Sequence, residues 1–352
     1  MTRAVRVGAR YIGGGQPVAI QSMLNTPSAD PAACVAQARA LEAAGCEILR
    51  LAVPDMASVQ TIPALKAAVR MPIVADIHFD YRLALASVDA GADKIRINPG
   101  NIGGEAHVRA VAEACGNAGV PIRVGVNSGS VAKPVLQRHG RPCAEALAES
   151  AVYSASLLEQ FGFTDIVLSV KASDVTEMIR ANRILHNMRD YPLHLGVTEA
   201  GTADSGLIKS SIGIGSLLCD GIGDTIRVSL TADPVQEIYA AKKILRFCGL
   251  RREGVEIVSC PTCGRTKVDL IALTQRVERA VAGVRAPITV AIMGCAVNGP
   301  GEAREADVGL AGGDGELLLF KRGKPVKKVP ESEAVEILLR EIERLESGRV
   351  KE

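Results

Sequence analysis

A short β-branched run followed by an Ala-rich helical stretch recurs eight times in the first 230 residues, and this repeat constrains the fold more than any other feature. The eight runs lie at residues 17–23, 47–53, 72–78, 93–99, 121–127, 165–171, 193–199 and 224–230. Nearly continuous hydrophobic runs joined by helices are typical of a parallel sheet that helices cover. Eight such units in succession predict a closed (β/α)8 TIM barrel, with residues 233–250 as its eighth helix.

An open, doubly wound sheet is the alternative to a closed barrel. Such a sheet would bind its ligand at a glycine-rich turn between a strand and a helix, but Gly213 and Gly215 lie in no such turn, and we expect them to serve packing. Residues 3–16, with three glycines at 13–15, are expected to form a hairpin that closes the lower end of the barrel. These features predict a first domain over residues 1–250.

The pattern changes after residue 250, which predicts a second domain over residues 251–352. Residues 255–270 are expected to form a strand, a turn with two cysteines and the start of a helix. Residues 287–313 are expected to form a strand followed by a glycine-rich turn. A hairpin over 315–331 and an amphipathic helix over 331–347 complete a smaller α+β domain.

Polar or charged side chains lie at the end of nearly every predicted barrel strand. In chain order they are Gln21, Arg50, Asp76, His78, Arg96, Asn98, Asn127, Lys171, Thr198, Glu199, Arg227 and Ser229, with Arg123 slightly earlier in the fifth strand. TIM barrels carry their chemistry at the carboxyl ends of the strands, so these side chains should share one mouth. Five of them are Arg or Lys, which suit phosphate oxygens. The sequence predicts a phosphorylated ligand, with Asp76, His78 and Glu199 able to handle protons.

Three of the nine cysteines, Cys260, Cys263 and Cys295, lie in the second domain with the spacing C-x2-C-x31-C. A structural zinc normally has four Cys or His ligands, and no histidine follows residue 194. A 4Fe-4S cluster tolerates a fourth ligand other than cysteine. The nearest oxygen ligands in the sequence are Glu302, Glu305 and Asp307. We therefore favour a 4Fe-4S cluster over a structural zinc or three free thiols.

The other six cysteines stand singly, and we expect ordinary buried or semi-buried thiols at Cys34, Cys46, Cys115, Cys143, Cys219 and Cys248. The sequence shows no signal-peptide pattern and no apolar run near the ~18 residues of a transmembrane helix. The 41 basic and 39 acidic residues leave a net charge of +2, which does not favour nucleic acid or membrane as partner. These features predict a cytoplasmic protein without a disulfide framework.

Eight longer motifs carry a family resemblance. The first domain contains DIHFDYRLAL, KIRINPGNIG, GVNSGS, SVKAS, GVTEAG and DTIRVSL, and the second contains SCPTCGRT and IMGCAVNGPGEAREADVGLAGG. Together they closely resemble the 4-hydroxy-3-methylbut-2-enyl diphosphate synthase family of the non-mevalonate isoprenoid pathway, in its two-domain bacterial form. The resemblance covers essentially the full chain. Leu24 departs from the family pattern, in which threonine is expected near the first strand.

The resemblance implies a two-electron reductive ring opening of 2-C-methyl-D-erythritol 2,4-cyclodiphosphate that yields 4-hydroxy-3-methylbut-2-enyl diphosphate and water. It implies a 4Fe-4S cluster on Cys260, Cys263, Cys295 and Glu302, with Glu302 able to give way to substrate. Residues implied to bind substrate are Arg50, Arg96, Asn98, Arg123, Asn127, Lys171, Thr198, Arg227, Ser229 and Asn298. Those implied to act in the reaction are Glu199, Glu302, Asp76 and His78.

The direction of the chain predicts how the two domains cooperate. The eighth strand ends at the mouth, and the helix over 234–247 then returns for ~21 Å toward the opposite end. About six residues, reaching at most ~20 Å, lead from Leu250 to the next strand. A domain tethered there should lie far from its own barrel mouth, so we expect a two-fold, head-to-tail homodimer in which each cluster domain caps the partner's barrel.

The sequence has no evident nicotinamide or flavin motif, so the electrons should come from outside the protein. The resemblance implies that the donor is a reduced flavodoxin or ferredoxin. The basic segment FKRGKPVKK could meet an acidic donor, but we favour a solvated hairpin as its explanation. Two alternatives stay open at this point. One is a zinc-containing barrel lyase or transferase acting on a phosphorylated or pterin-like substrate, and the other is an iron–sulfur electron carrier or sensor whose barrel binds a regulatory phosphate ester.

Overall fold

The computed structural model describes residues 1–296, 301 and 303–349, which fall into two compact units. The first unit is Met1–Arg251, and the second begins at Arg252. Each unit has its own hydrophobic core.

The first unit opens with a hairpin of strands β1 (Val5–Val7) and β2 (Arg10–Ile12). Eight parallel strands follow, namely β3 (Ala19–Met23), β4 (Ile48–Ala52), β5 (Ile73–Asp76), β6 (Lys94–Ile97), β7 (Ile122–Asn127), β8 (Ile166–Lys171), β9 (His194–Leu195) and β10 (Thr225–Ile226). Each strand from β3 to β8 pairs with the next one in the chain, and β10 pairs with both β9 and β3. A bridge between Leu168 and Leu193 joins β8 to the start of β9. The predicted closed TIM barrel is confirmed, and the open doubly wound sheet is wrong.

The last two barrel strands are shorter than the sequence predicted. Regular pairing stops at Leu195 and Ile226, whereas strands were expected over 193–199 and 224–230. Gly196 lies so close to its neighbour that a Cβ there would stand 2.7 Å from the carbonyl oxygen of Arg227. Glu199 has a φ of 52°, in the left-handed region that strands do not use. These segments therefore leave the ladder early and become loops at the mouth.

Helices connect the strands and cover the barrel. They are α1 (Pro31–Ala44), α2 (Met56–Val59), α3 (Thr61–Ala68), α4 (Tyr81–Asp89), α5 (Glu105–Ala118), α6 (Lys133–His139), α7 (Ala144–Glu159), α8 (Val175–Met188), α9 (Ala203–Cys219) and α10 (Pro234–Phe247). Aspartate caps begin several of them: Asp30 accepts the backbone N–H of Ala33 at 3.0 Å, and Asp174 accepts that of Glu177 at 2.9 Å. Gly45, with a φ of 98°, ends α1 in the left-handed conformation.

The N-terminal hairpin packs against the amino-terminal ends of the barrel strands. Val5, Val7 and Ile12 form one buried cluster with Ala19, Ile48, Val74 and Val167 from four of the strands. Apolar side chains thus close the end of the barrel at which the strands begin, as the sequence predicted.

The described part of the second unit contains a five-stranded sheet and the two helices named below. Its elements are β11 (Val255–Ser259), α11 (Leu270–Ala280), β12 (Ile288–Met293), β13 (Val308–Gly312), β14 (Glu316–Lys321), β15 (Lys324–Pro330) and α12 (Ala334–Arg349). Strands β11, β12 and β13 are parallel, and β14 and β15 continue the sheet as an antiparallel hairpin. Strand β13 was missed in the sequence, where VGLAG was assigned to a glycine-rich turn; all five of its residues are buried.

The helices of the described residues include none that is both long and apolar enough to cross a membrane.

Candidate functional site

A buried carboxylate organises one half of the barrel mouth. Asp76, at the end of β5, is 0% exposed and lies 2.5 Å from Arg50 Nη2, 3.1 Å from Arg96 Nη1 and 3.6 Å from His78 Nε2. Burial alone would raise the pKa of Asp76, but the charges of Arg50 and Arg96 outweigh it and hold that pKa below its ordinary value. Asp76 is therefore a fixed anion that orients two arginines.

A second buried carboxylate lies beside Arg227 in the other half. Glu237, in the first turn of α10, is 4% exposed, and its Oε2 lies 3.8 Å from Arg227 Nε. It also accepts the hydroxyl of Ser22 at 3.2 Å and the backbone N–H of Leu230 at 3.0 Å. Burial raises the pKa of Glu237. Glu237 was not predicted from the sequence as a site residue, because the predicted residues lie at the ends of strands and Glu237 lies on a helix.

Two cations of the mouth have no carboxylate partner among the described residues. Arg123 is 1% exposed, and its Nε and Nη1 have no hydrogen-bond acceptor in the part of the chain that the structure describes. Lys171, at the end of β8, is 8% exposed and forms no ion pair there either. Burial, followed by the charges of neighbouring arginines, lowers the pKa of both groups well below their ordinary values. An anionic ligand would supply the acceptors that these two side chains lack.

A further polar layer, which was not predicted from the sequence, lies inside the barrel. Lys94 is 0% exposed, and burial followed by the charge of Arg123 lowers the pKa of its ammonium well below the ordinary value. His194 is buried too, with Nδ1 2.7 Å from Thr225 Oγ1, and burial lowers the pKa of its imidazole. One signal was available: Lys94 precedes Arg96 by two positions, and in a strand such residues share a face.

Two glycines make room for the cations. A Cβ on Gly125 would lie 2.5 Å from Arg96 Nε, and a Cβ on Gly196 would lie 2.8 Å from Lys171 Nζ. Because real side chains do not approach so closely, any larger residue at either position would displace the charged group. The backbone of β7 and the segment after β9 thus form part of the wall that sets where Arg96 and Lys171 lie.

The remaining residues expected at the mouth have fewer contacts with its buried cations and carboxylates. His78 is half-exposed and contacts the cluster only through Asp76. Asn98 is buried in its own loop, where it accepts the N–H of Gly100 and donates to the carbonyl of Ser130. The side chains of three others form no hydrogen bond or ion pair with the cations in the described part of the chain; they are Thr198, Glu199 and Ser229. Asn127 ends β7 and caps the short turn that follows it. Asn298 and Glu302 lie outside the described residues.

The three cysteines of the second unit follow two neighbouring parallel strands. Cys260 directly follows β11, Cys263 lies in the adjoining turn, and Cys295 follows β12 by two residues. The Cys260 Sγ accepts the backbone N–H of Gly294 at 3.2 Å. The backbone N–H of Arg265 lowers the pKa of the exposed Cys263 thiol. These thiols share one edge of the sheet, although no three Cys, His, Asp or Glu side chains stand close enough for a metal site within the described ranges.

The other six cysteines agree with the expectation of ordinary thiols except at one position. Burial raises the pKa of Cys46 and of Cys115 to about 12. Cys219, however, is exposed rather than buried, because it ends α9 at the surface, and its Sγ lies 3.9 Å from that of Cys248.

Comparison with known proteins identifies relatives along nearly the whole chain. Residues 2–242 match the family model described as the GcpE TIM-barrel domain, and residues 256–344 match that of the GcpE protein C-terminal domain. A protein of Caldanaerobacter subterraneus subsp. tengcongensis is 54% identical over 345 residues, covering 98% of this chain and 97% of that one. A protein of Geobacter sulfurreducens is 52% identical over 344 residues, covering 98% of each chain. Both are called 4-hydroxy-3-methylbut-2-en-1-yl diphosphate synthase (flavodoxin).

Solved structures of low sequence identity share the barrel. The dihydropteroate synthase of Yersinia pestis superposes with a TM-score of 0.52 at 13% identity, covering 71% of this chain and 100% of that one. The type I 3-dehydroquinate dehydratase of Clostridium difficile gives a TM-score of 0.53 at 13% identity, covering 70% and 97%. At such identities the likeness describes the fold alone.

Proposed function

This chain belongs to the GcpE family, and from that membership and the chemistry of its barrel mouth we propose how it works. It is an oxidoreductase of isoprenoid biosynthesis that opens the ring of 2-C-methyl-D-erythritol 2,4-cyclodiphosphate and yields 4-hydroxy-3-methylbut-2-en-1-yl diphosphate and water. The reaction takes up two electrons, and the names of these relatives do not favour a lyase, a transferase or an electron carrier instead. The resemblance seen in the motifs is thereby confirmed.

The charge of the mouth suits the change that ring opening makes in the diphosphate. Each phosphate of the cyclic substrate carries one ionised oxygen, whereas the open product ends in a phosphate with a second one, whose pKa is near 6. Five cations surround two carboxylates at the mouth, which leaves an excess of positive charge once the ligand is bound. Fixed cations that stabilise the charge gained on ring opening lower the barrier to that step.

We assign the diphosphate to Arg123, Lys171 and Arg227. The single observation that carries this assignment is the pair of buried cations, Arg123 and Lys171, that have no carboxylate among the described residues. Arg50 and Arg96, which Asp76 holds, would contact the remaining oxygens of the ligand. Thr198, Ser229, Asn98, Asn127 and Asn298 are proposed as further substrate contacts.

Proton transfer is proposed for groups that stay accessible at the mouth. His78 is half-exposed and is oriented by Asp76, so it can donate a proton to a leaving oxygen. Glu199 is exposed on the loop after β9 and is the second candidate. Asp76 is not itself a good acid, because its pKa lies below the ordinary value.

A 4Fe-4S cluster is proposed on Cys260, Cys263 and Cys295, with Glu302 as its fourth ligand. Three thiols at one sheet edge are the donors that such clusters use. The hydrogen bond from Gly294 N–H to Cys260 Sγ is of the kind that sets the reduction potential of a cluster. When bound, the cluster supplies single electrons and a Lewis-acidic iron. Relatives are named for flavodoxin, and we propose the same class of electron donor here.

The basic hairpin is not proposed as the docking site for that donor. The turn between β14 and β15 lies at the end of the sheet opposite the cysteines, because β14 runs antiparallel to β13. Lysines and prolines along the edge strand β15 are explained as protection of an exposed sheet edge.

A homodimer with a site shared between subunits is proposed from the direction of the chain. Helix α10 returns from the mouth toward the opposite end of the barrel, and only residues 248–254 separate it from β11. A cluster domain tethered at that end would be better placed to serve the mouth of a partner. Mixing Lys171→Ala with Cys263→Ser under conditions of subunit exchange should restore activity, since each mixed dimer holds one intact site. Exchange without recovery would refute the shared site.

Ligand binding tests the assignment of the mouth independently of the cluster. Calorimetry with the cyclodiphosphate should show affinity in the wild type and a loss of roughly 10- to 150-fold in Lys171→Ala, because a charge-assisted contact is worth ~1.5–3 kcal/mol. Lys66→Ala is the matched control, since Lys66 forms a surface pair with Asp93. Equal affinities of Lys171→Ala and wild type would remove Lys171 from the site.

A further inference from the structure

Glu237 is unusual among the acidic side chains of the first unit. Among the described acidic residues there, only Asp76 and Glu237 are buried, and both lie beside arginines of the mouth. Asp76 stands at the end of a strand, where barrel enzymes place their chemistry, whereas Glu237 belongs to helix α10. A carboxylate buried in this way needs partners that repay its desolvation.

The contacts of Glu237 join three separate segments. Its Oε1 accepts the backbone N–H of Leu230, in the loop between β10 and α10, at 3.0 Å. Its Oε2 accepts the hydroxyl of Ser22 on β3 at 3.2 Å and faces Arg227 Nε at 3.8 Å. The other side of the guanidinium is bounded by Met23, whose Sδ lies 3.5 Å from Arg227 Nη1. Arg227 is thus held between β3 and the first turn of α10.

We propose that Glu237 is a positioning residue for Arg227, which fixes the guanidinium and the loop that carries Ser229 and Leu230 in the orientation that receives the diphosphate. This inference rests on the proposed role of Arg227 in binding the diphosphate. Glu237 does not itself contact the ligand, because its oxygens accept hydrogen bonds from Ser22 and Leu230. It acts on Arg227 through charge, since the buried Nε at 3.8 Å has no hydrogen-bond acceptor among the described residues.

A plain structural role, in which Glu237 only caps the loop before α10, predicts a different outcome. Such a cap accounts for the bond to Leu230 but not for the oxygen that faces Arg227. Replacement by glutamine separates the two roles, since the amide oxygen can keep the bond to Leu230 while the NH2 group turns toward Ser22 and Arg227. A donor beside the guanidinium cannot hold it, so Arg227 should shift although the loop stays capped.

The test is a double-mutant cycle in which the measured quantity is the affinity of the anaerobically purified full chain for inorganic diphosphate. We expect Glu237→Gln to weaken binding at least fivefold and Arg227→Ala to weaken it more. The double variant should bind no more than twofold more weakly than Arg227→Ala, because Glu237 acts only through that side chain. Glu341→Gln is the matched control, since Glu341 is also buried, in the second unit, and pairs there with Lys321. This variant should bind diphosphate as the wild type does.

The possible failures are distinguishable. Additive losses in the double variant, or unchanged binding in Glu237→Gln, would refute the positioning role and leave the proposed function intact. Tighter binding in Glu237→Gln would also refute it, because it would show that Glu237 acts only as a local negative charge. If Arg227→Ala binds diphosphate as the wild type does, the assignment of the mouth itself fails. Melting temperatures of all variants check that each one folds.

Discussion

Replacing Asp76 with asparagine should destabilise the barrel strongly and specifically. The substitution keeps the shape of the side chain but removes the only carboxylate that contacts both Arg50 and Arg96 among the described residues. Removing one partner of a buried ion pair typically costs ~3–5 kcal/mol, because the other charge stays buried without compensation. For a domain of this size, that loss corresponds to a fall in melting temperature of roughly 6–20 °C.

Thermal and denaturant unfolding of the variant would measure this loss. Asp190→Asn is the control, because Asp190 forms an exposed pair with Arg3 and should cost less than ~1 kcal/mol. Inorganic diphosphate should stabilise Asp76→Asn more than the wild type, since two more cations then lack a counter-charge. Equal losses in Asp76→Asn and Asp190→Asn would refute the role of Asp76 as the organising anion.

The stabilisation of the folded protein by Asp76 should depend on pH. The pKa of Asp76 is lower in the folded protein than the ordinary ~3.9 of an unfolded chain. Its stabilisation is therefore fully present above pH ~4 and is lost as the pH falls through the folded pKa. The difference in unfolding free energy between wild type and Asp76→Asn should narrow as the pH falls below ~4.

Three further predictions concern the mouth and the cysteines. Gly196→Ala should raise the KM for the cyclodiphosphate at least tenfold, because its Cβ would crowd both Lys171 Nζ and the backbone carbonyl of Arg227. Gly116→Ala, on the surface of α5, should leave the KM unchanged, and equal KM values for the two variants would refute the close fit at Gly196. Because burial lowers the pKa of Lys171 in the free protein, binding of diphosphate should be accompanied by proton uptake. Calorimetry in buffers of different ionisation enthalpy should show less uptake in Lys171→Ala, and equal uptake would exclude Lys171 as its source. Cys263→Ser should lose the brown colour of the anaerobically purified protein, and stoichiometric zinc without acid-labile sulfide in the wild type would contradict the cluster.

The barrel could be predicted from the sequence because its signals are local and repeated. Eight buried parallel strands give eight hydrophobic runs. Asp76 and Lys171 end their strands, and Arg50 and Arg96 lie within theirs, one or two residues before the end. The two shortened strands could not be predicted, since the left-handed φ of Glu199 and the close approach at Gly196 are set by neighbouring strands. Strand β13 was missed because small residues replace the bulky ones that signal a strand.

Side chains that act from outside the expected positions were also missed. Glu237 lies on a helix, and a glutamate in a first helical turn is ordinarily a solvated group that favours the helix dipole. Only its packing against β3 and Arg227 distinguishes it, and that packing depends on residues about 215 positions apart in the sequence. Lys94, by contrast, carried a readable signal, because its spacing of two from Arg96 places both on one face.

Turnover by the anaerobically purified protein is the decisive test of the proposed reaction. The protein is reduced with a chemical reductant or a reduced flavodoxin and supplied with 2-C-methyl-D-erythritol 2,4-cyclodiphosphate, and the product is identified by mass and NMR. We predict one molecule of 4-hydroxy-3-methylbut-2-en-1-yl diphosphate for every two electrons consumed, with acid-labile sulfide and iron both near four per chain in the active protein. Protein that holds this iron and sulfide and binds the cyclodiphosphate, yet leaves it unchanged under reduction, would contradict the proposed activity.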